Sequence, residues 1–374
     1  MLKGIHMTLL VGPIVVFPVP KVVLDALESV QVTSSASSAS GFELVFSFSA
    51  KSPLNTIFLI AGAQSPLLRV IIVVTINAVP HVMMDGVMTH HSIQPGQGGS
   101  SSKLRVMGKD LTAVMDLQDF GGLPYPAMPV EARIALIVAK YAPFGMIPLI
   151  VPTLFPDLPL PIERTPTHDG TDLAYIESLA SDAGYVFYVD SGPIPGINIA
   201  YFGPQIKLGI PQPALNVDMD VHTNVENLSF RFETSKTTLP VVLIQNQLTR
   251  VPFPLPIPKF NPLQPPLGAI PAGITSIRVL RDTAKLTPMN ALLKGIAAAA
   301  KSQDAVRGDG ALDVLRYGRL LKSRQLVGVR GAGLAFDGLY YVEEVTSTLK
   351  AGEIKQSFSL TRNGIVSMVP AVPA

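Results

Sequence analysis

The sequence contains no cysteine. That excludes disulfides, cysteine-ligated zinc and thiol nucleophiles, but it names no compartment. Tryptophan is absent too, and charged residues make up only 15%, against about 25% in a typical soluble domain. The net charge of +2 comes without a dense basic stretch. Arg316, Arg319, Lys322 and Arg324 are the nearest to one, and no aromatic ladder accompanies them. They read as a solvated or interface face rather than a nucleic-acid patch. Long unbroken apolar runs are missing as well. Leu54–Val79 is split by Pro66 and Arg69 into pieces too short to cross a bilayer as a helix. Lys3 and then Met7–Val19 imitate a signal peptide, but Pro13, Pro18 and Pro20 interrupt the run and no small-x-small cleavage site follows directly. That segment reads as opening strands. Gly-x-Ser-x-Gly, Gly-x-x-x-x-Gly-Lys and His-Glu-x-x-His are all missing, so no nucleophile, phosphate or zinc motif points to an enzyme.

What the chain does have is length and apolarity. Its 374 residues suffice for two or three domains, 48% are apolar, and 34 prolines and 30 glycines break the pattern. Mean hydropathy is +0.38. A lone monomer of this composition has little polar surface with which to cover itself, so burial against other copies or subunits is the economical explanation.

The organising stretch is Thr171–Asp190. Thr171 is placed to cap a helix, with Asp172 in its first turn. Leu173, Ile176, Leu179 and Ala180 make one apolar stripe over 172–183. Gly184 stands where a left-handed residue ends a helix, and Tyr185–Val189 is a β-branched and aromatic strand.

Around that unit the chain divides by character. Residues 1–108 read as a first β module, with strands Met7–Phe17, Val22–Thr33, Phe42–Ser49, Leu67–Ile76, His81–Ile93 and Lys103–Met107, a short helix at Asn55–Ala63, flexible loops at Ser34–Ser40 and Gln94–Ser102, and a turn at Asp85-Gly86. Residues 109–212 form an α/β module with helices over 110–117, 130–141 and 172–183, and with Pro143–Pro166 as an irregular connection. Residues 213–249 and 312–367 form a second β module. Between its parts lies an insertion, 250–311. It consists of a proline-rich segment (eight prolines in Pro252–Pro271), a strand at Ser276–Leu280 and an alanine-rich helix, Thr287–Ser302. Residues 368–374 are an irregular tail.

Two clusters invite chemistry. His81, Asp85, His90 and His91 share one proposed hairpin, but adjacent histidines on a strand face opposite ways, and polar strand surface explains them better than a metal. Asp218, Asp220, His222 and Asn224 alternate and so line one face of a strand, either as a cation site or, preferably, as a wetted face that could border an aqueous channel. No catalytic, metal or cofactor residue emerges.

Three segments resemble the hub proteins of phage tails and related contractile injection systems, namely the late-control D-type tail proteins and the base of the type VI secretion spike. They are Arg105–Asp116, with Asp110, Leu111 and Asp116; Thr171–Tyr188, with Thr171, Asp172, Leu179, Gly184 and Tyr188; and Gly338–Val345 followed by Gln356–Leu360, with Tyr340. The resemblance implies a mixed β and α/β fold in which two tail-tube-like antiparallel β-barrels bracket an α/β domain. It implies a homotrimer whose six barrels form a pseudo-sixfold ring, adapting a sixfold inner tube protein to a separate trimeric spike protein and forming part of the central channel. Baseplate wedge proteins would be neighbours, and the particle would assemble in the bacterial cytoplasm. The resemblance implies no cofactor, no catalysis, no specific nucleic-acid recognition and no membrane insertion. The alternatives are a tail-associated cell-wall-degrading enzyme and an outer-membrane β-barrel; the helices and prolines argue against the latter.

Overall fold

The computed structural model describes residues 5–49, 52–60, 62, 67–96, 101–153, 165–233, 238–245, 252–257, 264–280, 288–301 and 304–369. Most of the elements read from periodicity are present, with bounds shifted by a few residues. The first module contains β1 (Ile5–Gly12), β2 (Phe17–Pro18), β3 (Leu27–Ser35), β4 (Gly41–Phe48), β5 (Arg69–Ile76), β6 (Val79–Gln94) and β7 (Ser102–Asp110). Alternation in β4 buries Phe42, Leu44 and Phe46 on one face, as a period of two requires.

The order β3-β4-β7-β6-β5-β1 is antiparallel throughout. Closure of this sheet into a barrel is not seen: among the described residues no ladder joins β1 to β3. Chain 22–26 is not strand either; a short helix, Lys21–Asp25, carries the chain from one edge to the other. Asn55–Ile60 is helical, in a wide π-type turn. The Asp85-Gly86 turn is corrected as well. Both residues lie inside β6, and the hairpin turns instead at Asn77-Ala78, whose φ angles of 49° and 66° are left-handed. The two ends of the Ser34–Ser40 loop are held, while its tip at Ser37 and Ser38 is exposed. Ser35 and Ser40 are buried, Ser40 Oγ accepts from Ser35 N at 3.3 Å, and Asp110 Oδ2 accepts from Ser40 N at 3.2 Å.

The α/β module packs helices Val130–Ala139 and Asp172–Ala183 against β8 (Met146–Ile150), β9 (Val186–Ser191) and β10 (Asn198–Gly203), in the order β8-β10-β9. β8 and the 3₁₀ turn Ala142–Phe144 lie in a stretch read from sequence as irregular; residues 154–164 of that stretch are outside the described set.

The second module begins with β11 (Gln212–Asn216) and β12 (Asn227–Phe232). β13 (Thr238–Gln245), expected in the second module, pairs instead with strands of the insertion, β14 (Pro252–Pro256) and β16 (Ser276–Leu280). The insertion also holds β15 (Gly268–Pro271) and a helix, Pro288–Lys301, and a small core of Val242, Ile257, Ala291 and Ala299 gathers β13, residue 257 and the helix. The proline-rich stretch is therefore partly strand. β14 is an edge strand on β13, and its prolines at 252, 254 and 256 alternate with residues whose N–H groups can face the partner. The module closes with β17 (Val306–Asp313), β18 (Leu326–Arg330), β19 (Gly338–Lys350), β20 (Glu353–Arg362) and β21 (Gly364–Ser367).

β17 crosses the expected boundary at 311/312. Its Gly308 and Gly310 hide it from a propensity reading, and they are there for space. A Cβ on Gly310 would stand 2.6 Å from Asn227 O and 2.8 Å from the Phe358 ring.

The order β12-β17-β20-β19-β18-β11 repeats that of the first module. β12 matches β3, β17 matches β4, β20 matches β7, β19 matches β6, β18 matches β5 and β11 matches β1. The one difference is that β11 runs parallel to β18, whereas β1 runs antiparallel to β5. In each module one long strand, β6 or β19, belongs to two ladders along its length. The modules are fused where β3 pairs antiparallel with β19 from Ser29↔Lys350 to Ser35↔Glu344. One buried core runs through both, including Leu44, Phe46 and Val106 of the first and Val342, Phe358 and Leu360 of the second.

Candidate assembly interface

The residues singled out from the sequence are structural anchors in this fold. Thr171 Oγ1 caps its helix by accepting from Ala174 N at 3.2 Å, and it donates to Asp116 Oδ1 at 2.7 Å. Gly184 has φ 70° and ends the helix as expected. Thr171→Ala is expected to cost about 1 kcal/mol in a urea melt, and Gly184→Ala at least a comparable amount, because the left-handed φ is strained for a residue with a Cβ. Asp172 is fully buried and accepts from Tyr141 Oη at 2.6 Å and Lys140 Nζ at 2.8 Å. Leu111 is fully buried and Leu179 packs against the same core. Asp110 ends β7 and accepts from Thr112 N at 3.1 Å, from the Thr112 hydroxyl and from Ser40 N. Burial pushes its carboxyl above the ordinary range, while those hydrogen bonds pull the other way.

His168 stacks on Tyr175 with centroids 4.4 Å apart, and its Nδ1 lies 2.9 Å from Tyr125 Oη. Its side chain and that of Asp172 are both fully buried. The cluster packs inside the module beside its apolar core.

Two buried or partly buried side-chain clusters add to the contacts between modules, and the sequence reading found neither as a site. Arg69 meets Asp85 through Nε–Oδ1 at 2.7 Å and Nη2–Oδ2 at 2.6 Å, and Asn198 Nδ2 donates to the same Oδ2 at 2.8 Å. All three are buried, so Asp85 is committed to this pair and not to His90 or His91. Arg324 joins three regions. It donates to Ser35 O at 2.5 Å, lies 3.4 Å from Asp190 Oδ1, and covers the Tyr188 ring at 4.2 Å. Burial pushes the Tyr188 phenol up to about 12. Tyr340 is buried and donates to Phe336 O at 2.8 Å.

The wetted face is corrected. β11 stops at Asn216, Asp218 and Asp220 have left-handed φ angles of 48° and 49°, and Asp220–His222 is a 3₁₀ turn. Asn224 ties the loop back, its Oδ1 accepting from Asn216 N at 2.8 Å and its Nδ2 donating to Ala214 O at 2.9 Å. Asp and Asn tolerate left-handed backbone and bond it locally, so their alternation here makes a turn rather than a strand face.

Two strand edges of the large sheet stand open. Among the described residues β12 pairs only with β17, and Asn227, Ser229, Arg231 and Phe232 are exposed. Beyond Met88, β6 pairs only with β7 among the described residues, and Ile93 is 44% exposed. Such edges are templates for another strand. No described helix is long and apolar enough to cross a membrane, and no described group of three or more His, Asp or Glu could hold a metal ion.

No family profile and no curated protein matches the chain. Solved structures do. It is similar to a tail protein from Neisseria meningitidis, with a TM-score of 0.62 and 14% identity over 97% of this chain and 98% of that one. A 43 kDa tail protein of prophage MuSo2 from Shewanella oneidensis gives a TM-score of 0.63 and 12% identity over 96% and 99%. An E. coli component of the type VI secretion system, described as structurally similar to T4 bacteriophage tail proteins, gives a TM-score of 0.51 and 11% identity over 93% and 77%. The chain thus has the fold shared by phage tail proteins and a type VI secretion component, along nearly its whole length.

Proposed function

We propose that the chain is the structural hub of a phage-tail-like particle: a homotrimer that matches a sixfold inner tube on one side and a threefold spike on the other, and that borders the central channel. The observation that carries this reading is the repeated strand order. Each chain holds two like modules side by side, so three chains present six. The fold neighbours are tail and secretion-system proteins, and the low charge fits a surface spent on subunit contacts. Inner tube, spike and wedge proteins are the partners, the baseplate is the location, and assembly takes place in the cytoplasm. The work is mechanical and positional rather than catalytic.

The test is the mass of the purified chain in solution together with negative-stain images of the same sample. Three chains of 39.8 kDa make 119.4 kDa; a species of that mass with a central hole is expected. A chain that stays at 39.8 kDa over the whole accessible concentration range sinks the proposal.

A further inference from the structure

We infer that neighbouring copies join by adding β12 of one chain to the outer edge of β6 of the next, in the same antiparallel register that joins β3 to β19 within a chain. The inference rests on the hub reading and names the surface that the reading needs.

The argument comes from the repeat. In both modules the long strand carries a bulge at the same place in its ladder. In the first it falls between Met88↔Gly108 and His90↔Met107, and in the second between Val342↔Leu360 and Glu344↔Ser359. Aligning the bulges makes Ser92 the counterpart of Thr346, and Ile93 that of Ser347. The ladders then carry the alignment across. Phe42 opposes Gly108 and Val32; Gly308 opposes Leu360 and Phe230. Val32 is therefore the counterpart of Phe230, and Thr33 that of Arg231.

Inside the chain, Thr33 pairs with Thr346 and Val32 with Ser347. Transferred to the open edges, Arg231 of one copy stands opposite Ser92 of the next, Phe230 opposite Ile93, Phe232 opposite His91 and Glu233 opposite His90.

Exposure follows the same correspondence. Where the intrachain junction covers it, Ser347 is 3% exposed; its counterpart at the open edge, Ile93, is 44% exposed. An apolar residue thus stands bare at a position that the equivalent junction buries, on an edge that no strand covers beyond Met88 among the described residues. The register puts no like charges opposite each other, which leaves cross-strand pairing unopposed. The two edges are different surfaces, so the contact is heterologous, the kind that closes rings. A second copy is the occupant because the chain already makes this contact once with itself.

The absence of cysteine makes the test direct. The double variant S92C/R231C places its two thiols on opposite open edges, so a bond between them links chains. Facing positions in an antiparallel pair lie within disulfide reach. Mild oxidation of the purified protein is expected to give a covalent ladder ending at 119.4 kDa, three times 39.8 kDa, on a denaturing gel without reductant. S92C/S229C, two residues out of register, is expected to give little of it. Ile93→Lys, at an exposed position, is expected to drop the solution mass to that of one chain while leaving the far-UV circular dichroism of the folded chain unchanged. If the protein is trimeric but links only in the shifted pair, or not at all, or if Ile93→Lys stays trimeric, the interface is wrong and the hub reading stands. If the unmodified protein never exceeds one chain in mass, both fall.

Discussion

Asp85→Ala is expected to lower the unfolding free energy by about 3–5 kcal/mol, the usual cost of removing one member of a buried ion pair. Asp85 is 2% exposed and Arg69 3%, and their contact is a two-point fork with both oxygens engaged at 2.7 and 2.6 Å. Without the carboxylate, the Arg69 guanidinium is left in the interior. It would keep Phe144 O at 2.7 Å and the more distant carbonyls of Ile14 and Gly196, each at 3.3 Å, but no anion. Asn198 Nδ2 would keep only Phe144 O, at 3.2 Å.

Because the cluster joins β5 and β6 to β10 and the Phe144 turn, the loss falls on the seam between the first β module and the α/β module. A second variant separates the worth of the pair from the cost of an orphaned charge. R69M/D85L removes both charges, and it is expected to recover much of the loss, since apolar replacement of a buried pair is often neutral or better. Urea melts of wild type, single and double variants decide the matter. A single variant within 1 kcal/mol of wild type, a small effect by the measure of ordinary substitutions, would show that water reaches the site and that the seam does not depend on it.

Much of this fold was legible because its signals are local. The helix at Asp172 carries its cap, stripe and stop within fourteen consecutive residues, Thr171 to Gly184, and each acts on its neighbours alone. The alternation of Phe42, Leu44 and Phe46 likewise states its own period. What stayed hidden depends on distant partners. β17 contains two glycines, and only the Phe230 and Phe358 rings lying against them explain why. Asp85-Gly86 has a turn's composition, yet Arg69 and Ser191 hold it in the middle of a strand, with Asp85 N donating to Ser191 Oγ at 3.0 Å. Asp218 to Asn224 alternates as a strand does, but Asn224 spends its amide on its own loop. Two β modules could be read from the sequence, but their strand-by-strand match could not, because strand order, unlike sequence period, survives complete replacement of side chains. Strand count was visible in the same way, while the lack of a β1–β3 ladder among the described residues depends on where the helix at Lys21 lays the chain.

Arg362→Met is expected to destabilise the second module by about 3 kcal/mol or more, counting three carbonyl acceptors left without a donor at about 1 kcal/mol or more apiece. Arg362 is fully buried. Its Nε donates to Gly364 O at 2.7 Å, Nη1 to Asp337 O at 2.8 Å and Nη2 to Ala335 O at 2.7 Å, and the guanidinium lies 4.4 Å from the Tyr340 ring centre. Burial lowers the pKa of the group, so the charge is held at a cost that the carbonyls and the ring face offset. The arrangement clamps the turn before β19 to the end of β20. It also holds the long strand's start, which the β18 ladder then continues.

Arg362→Lys distinguishes geometry from charge. A lysine brings one compact ammonium where three carbonyls are spaced around a planar fork, so it cannot reach all of them from one position. Its stability is expected to fall close to that of Arg362→Met, with the loss appearing as a lower denaturation midpoint at unchanged slope. A lysine variant as stable as wild type would mean that positive charge over Tyr340, rather than the fork, secures the clamp.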